Sequence, residues 1–121
     1  MDRQRYISVP KNKKAMEAYD LGEERSEEMV EWKLKESEFN MLYNNGVFQQ
    51  LNEACDVIID DFESEVIDVD GLSNAEVVIQ KLQESFNNKE IEHLYDLILE
   101  AIRNKTLIAF SLVERAAGES T

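Results

Sequence analysis

The sequence predicts a mainly α, single-domain fold over residues 1–121: a compact bundle of about five helices, with residues 1–10 as an extended arm. Three observations point there. Only one Pro and four Gly occur in 121 residues, few turn-formers for a β-rich chain. Gly22, Gly46, Gly71 and Gly118 fall between or just beyond candidate helices, where C-terminal caps belong. Apolar residues recur at steps of three and four along most of the chain. The length fits one domain with one core, and 43% apolar residues is ordinary globular material.

Residues 4–9 alternate weakly and stop at Pro10, which suits an extended segment. Residues 11–21 can form a short helix. Residues 24–43 read as a long one, with Met29, Trp32, Phe39 and Tyr43 on one face and Val30, Leu34 and Met41 on another. A helix apolar on two sides must be sandwiched between neighbours or be something else. Asn44-Asn45-Gly46 ends it. Residues 47–64 carry the clearest stripe: Val47, Phe48, Leu51, Cys55, Ile58 and Phe62. On that helix Glu53, Asp56, Asp60 and Glu63 would line the opposite face. Residues 73–86 follow, with Ser73 and Glu76 spaced as a capping box. Residues 88–103 turn Ile91, Leu94, Tyr95, Ile98 and Ile102 inward, with Asn87 and Glu90 as a second box. Residues 106–117 are ambiguous. Their apolar start suits a buried strand, for which Tyr6–Val9 would be the partner, while Val113-Glu114-Arg115-Ala116-Ala117-Gly118 looks like a helix end. Helix is the expectation.

Charge is the most uneven property. The net charge is -13, and from Glu36 to Gln80 eleven carboxylates occur with no Lys, Arg or His. Residues 81–121 are nearly balanced and residues 1–14 are basic. Phosphate contacts need clustered Lys and Arg, so direct nucleic-acid binding is disfavoured. A concentrated negative surface instead attracts cationic partners. The expected partner surface is Glu53, Asp56, Asp60, Asp61, Glu63, Glu65, Asp68 and Asp70. No apolar run reaches the length of a membrane span, the basic start lacks the apolar stretch of a signal peptide, and a single Cys forms no internal disulfide. A cytoplasmic protein is expected. Cys55, beside Ala54 and Val57-Ile58-Ile59, reads as a small buried hydrophobe.

Chemical motifs fall away on inspection. Asp68-Val69-Asp70-Gly71 has the composition of a calcium loop, but setting Gly71 at its sixth position puts Val66 and Val77 where oxygen ligands are required; a turn before the next helix is the simpler reading. Glu90-Ile91-Glu92-His93 supplies one half of a di-iron pattern that needs two His, and the chain has one His. His93 reads as a boundary residue. No nucleophile motif or phosphate loop is present, and neither a catalytic residue, a metal ligand nor a cofactor is assigned.

Two resemblances remain. Glu27-Glu28-Met29-Val30-Glu31 with Glu53-Ala54-Cys55-Asp56 resembles the metal-binding pattern of MazG-type all-α nucleoside triphosphate pyrophosphohydrolases. That resemblance implies two antiparallel helices on which Glu28, Glu31, Glu53 and Asp56 hold Mg²⁺. The segment Ile58-Ile59-Asp60-Asp61-Phe62-Glu63-Ser64-Glu65-Val66-Ile67 resembles the acidic-aromatic stretches of small immunity proteins of bacterial toxin systems. It implies a non-catalytic inhibitor that docks on a basic toxin, often a nuclease. The favoured expectation is this inhibitor; the alternatives are the Mg²⁺-dependent hydrolase and a helical adaptor subunit.

Overall fold

The computed structural model describes residues 5–60 and 64–112. Helical residues make up 59% of the structure, yet a four-stranded antiparallel sheet organises it. The elements run β1 (Arg5–Pro10), α1 (Lys13–Asp20), β2 (Met29–Leu34), α2 (Glu36–Asn44), α3 (Val47–Cys55), β3 (Glu65–Ile67), α4 (Leu72–Ser85), α5 (Lys89–Asn104) and β4 (Ile108–Ser111). The strand order is β2-β1-β4-β3.

The extended N-terminal segment and the short helix after it form as expected, with Asn12 capping α1 by accepting from the Ala15 N–H at 2.8 Å. The long helix expected over residues 24–43 does not form. It divides into a 3-10 turn (Ser26–Glu28), β2 and α2. The reason lies in its two apolar faces. Val30, Trp32 and Leu34 alternate with exposed Glu31 and Lys33, a strand pattern that pairs with β1 from Arg5↔Leu34 to Pro10↔Met29. Lys35 is extended, and its N–H donates to the Glu38 carboxylate at 2.7 Å, which starts α2 afresh. Asn44-Asn45-Gly46 ends α2 as expected, with Gly46 in the left-handed region at φ 73°.

The end of the chain corrects the helix expectation. Ile108–Ser111 is a strand, paired to β1 through Tyr6↔Ser111, Ile7↔Phe110 and Ser8↔Ala109. The partner is the one that the alternative reading named. Its run of apolar residues reflects burial on both sides at the centre of the sheet. The helix-like residues 113–118 lie outside the described residues.

One face of the sheet carries Ile7, Val9, Trp32, Leu34, Ile67, Ile108 and Phe110 into the core, where they meet Leu42, Phe48, Leu51, Leu72, Ile79, Leu94 and Ile98 from the helices. Full burial of each such side chain contributes about 1.5–3 kcal/mol. Helix α5 packs on β1 and β4, and α4 lies between α5 and α3. Arg5 is buried within this frame at 3% exposure. Its Nε donates to the Leu112 carbonyl at 3.1 Å, its Nη1 meets Glu36 Oε2 at 2.6 Å, and its guanidinium lies 3.8 Å from the centre of the Phe39 ring. One side chain thus ties the first strand, the residue after the last strand, and α2.

Candidate functional site

Helix α3 is shorter than the stripe implied. It stops at Cys55, and Asp56 caps it in the left-handed conformation at φ 55°. Asn52 causes the stop. Its side chain accepts from the Ile59 N–H at 2.7 Å and donates to the Ile59 carbonyl at 3.1 Å. These bonds fold residues 56–60 back, bury Ile59 at 4% exposure and leave Ile58 at 64%. The expected ridge of Glu53, Asp56, Asp60 and Glu63 along one helix is therefore not formed. Glu53 is exposed on the last turn of α3, Asp56 is its exposed cap, Asp60 is partly buried in the following loop, and Glu63 lies outside the described residues together with Asp61.

The fold nonetheless brings several of the expected carboxylates to one end of the molecule. Cys55 Sγ lies 3.6 Å from the Gly71 carbonyl, and the Asn74 side chain donates to the Ala54 carbonyl at 3.3 Å. These contacts hold the Val69–Gly71 turn, with exposed Asp68 and Asp70, against the end of α3 where Glu53 and Asp56 sit. Gly71 is required by space: a Cβ there would stand 2.9 Å from Ile67 Cγ2. Glu65 is committed to structure, accepting from the Ile58 N–H and from its neighbour Val66 N–H, both at 3.0 Å. Asp68 accepts from the Asp70 N–H at 3.1 Å. Ser73 does not cap α4, which begins one residue earlier, at Leu72. Asn88, one residue after the expected Asn87, caps α5 by accepting from the Ile91 N–H at 2.8 Å.

The electrostatics of this end are unusual at α3. Glu53 and Asp56 occupy its C-terminal turn, with no basic residue there. Carbonyl dipoles already make that end negative, so each carboxylate costs about 0.3–1 kcal/mol. Helix α5 shows the ordinary arrangement, with Glu90 and Glu92 in its first turn and Arg103 in its last. Asp68 and Asp70 precede the N-terminus of α4, where the dipole favours them. Among the described residues the ion pairs are Arg5–Glu36, Arg25–Glu27 and Arg103–Glu100; none reaches Glu53, Asp56, Glu65, Asp68 or Asp70. Burial pushes the Cys55 thiol up from its ordinary value, which keeps it protonated, consistent with a half-buried packing residue.

The geometry does not assemble the hydrolase pattern. Glu28 closes the 3-10 turn and Glu31 lies on β2, so no helix runs antiparallel to α3 with those two side chains on it. Among the described residues no three His, Cys, Asp or Glu side chains cluster as a metal site. The Asp68–Gly71 segment is a turn leading into α4, as the simpler reading expected. His93 is exposed and stacks on Trp32, ring centres 4.1 Å apart. Sequence reasoning missed Ile58 and Val69, exposed at 64% and 53% in the midst of the carboxylates. The signal was present in the apolar residues that interrupt the acidic run, but a helical assignment had turned Ile58 inward.

No helix among the described residues is long and apolar enough to cross a membrane. Comparison with protein-family models, curated proteins and solved structures finds no match.

Proposed function

We propose that the chain is a non-catalytic acidic binding protein that docks on the cationic surface of a protein partner, and that the partner is a basic toxin of the nuclease type which the chain holds inactive. The observation that carries this reading is the placement of Glu53 and Asp56 on the negative end of α3 without a basic neighbour within pairing distance. That arrangement costs the isolated fold stability and deepens the field felt by an approaching cation. Asp56 adds a second cost, because a left-handed backbone is easiest for glycine. Asp68 and Asp70 extend the surface, and exposed Ile58 and Val69 supply the apolar contact area that charge alone does not give.

The test uses the partner captured from native cells with the intact chain. It is expected to be a basic protein whose nucleic-acid cleavage stops on binding. The combined variant Glu53→Gln, Asp56→Asn, Asp68→Asn, Asp70→Asn keeps every acceptor that the fold uses there and removes the charge. It should associate at least about tenfold more slowly at low salt. A variant that associates as fast as the wild type excludes this end of the molecule as the docking surface.

A further inference from the structure

The sheet has two edges, and they differ. The β3 edge is short, and its Glu65 already holds the backbone of Ile58. The β2 edge is longer and open. The Lys11 N–H donates to the Glu28 carbonyl at 2.9 Å, which continues the β1–β2 register by one pair. In an antiparallel ladder bonded and non-bonded pairs alternate. Glu28, Val30, Trp32 and Leu34 therefore turn their backbone groups to β1, and Met29, Glu31 and Lys33 turn theirs away from the sheet. The Met29 N–H is used by the Ser26 carbonyl and the Lys35 N–H by Glu38. Among the described residues nothing meets the outward groups of Glu31 and Lys33, whose side chains are both exposed.

We propose that this edge pairs with the same edge of a second copy, forming a two-fold symmetric dimer with one continuous antiparallel sheet. The charge pattern selects the occupant and the register. With Trp32 on the two-fold axis, Glu31 of each copy lies directly opposite Lys33 of the other, on the same face of the sheet. The two residues exchange their backbone hydrogen bonds and pair their opposite charges, once on each side of the axis. Charged residues on an edge normally block pairing with foreign strands; here they are complementary only to their own copy in this register. The surroundings agree. Residues 25–35 carry Arg25, Lys33 and Lys35 against Glu27, Glu28 and Glu31, a neutral stretch in a chain of net charge -13. The β3 edges end up at the far sides of the dimer, about 34 Å apart at ordinary strand spacing. That is several Debye lengths at physiological salt, so the acidic ends neither oppose assembly nor become covered by it.

Sedimentation velocity over a range of concentrations of the full chain tests the proposal. The wild type should be a concentration-dependent dimer at physiological salt. Glu31→Lys sets Lys opposite Lys twice and should raise the dimer dissociation constant at least about tenfold. The double variant Glu31→Lys, Lys33→Glu restores opposite charges and should recover the dimer. Circular dichroism of each variant confirms an intact fold, which exposed substitutions on an edge strand leave in place. A wild type that stays monomeric at every concentration overturns the proposal, including the case in which a strand of another protein occupies the edge. A dimer indifferent to Glu31→Lys, or a folded double variant that stays monomeric, overturns this register.

Discussion

Arg5 is a residue whose importance the sequence hides. It stands in the short basic segment expected as an extended arm, yet its guanidinium is enclosed by Phe39, Glu36 and the Leu112 carbonyl. Arg5→Ala leaves a buried carbonyl without its donor and should cost about 2–4 kcal/mol in urea unfolding. Arg5→Lys should recover only part of that, because an ammonium cannot reproduce the planar fork. Glu100 gives a pH signature. Hydrogen bonds from Arg103 at 2.7 Å and Asn104 at 3.0 Å hold its carboxyl below its ordinary value of 4.5. A lowered folded value means that the stabilisation is complete above the unfolded value and is lost as pH falls through the folded one. Acid unfolding of Glu100→Gln should therefore lack that part of the decline below pH 4.5, measured as Tm against pH. What a single residue does was legible for Gly46, which ends α2 as expected, whereas neither expected capping box forms where it was placed. It was not legible for Arg5 or Asn52, whose partners are set by the fold.

At the scale of elements, the helices with one apolar stripe were readable: α4 and α5 lie within a residue or so of their expected bounds. The missed strands have one cause. β2 and β4 are stabilised by pairing with β1, and β3 by pairing with β4, across separations of 19 residues or more, and local periodicity carries no trace of a distant partner. The two-sided apolar pattern of residues 24–43 was the available warning. The end of α3 was lost because the stripe formally continues through Ile58 and Phe62, whereas the Asn52 side chain diverts the backbone. The turn that brings Asp68 and Asp70 to α3 rests on the close approach of Gly71 to Ile67. Gly71→Ala should cost about 1–3 kcal/mol, read from chemical denaturation. It should also slow partner association, because the turn must shift away from Glu53 and Asp56.

For the molecule as a whole, charge and fold are at odds. A net charge of -13 on 121 residues repels itself, and of the eleven carboxylates between Glu36 and Gln80 the fold sets Glu53, Asp56, Asp68 and Asp70 together at the end of α3. Screening should relieve that strain. Raising NaCl from low to physiological concentration should raise Tm by on the order of a few degrees, and the combined Glu53, Asp56, Asp68 and Asp70 amide variant should show a smaller rise. The measurement that tests docking most directly is the association rate with the captured basic partner across a range of NaCl. The wild-type rate should fall steeply as salt rises, and the rate of the amide variant should be low and nearly flat. Equal rates with parallel salt dependence for the two chains would contradict a docking role for the carboxylates at the end of α3.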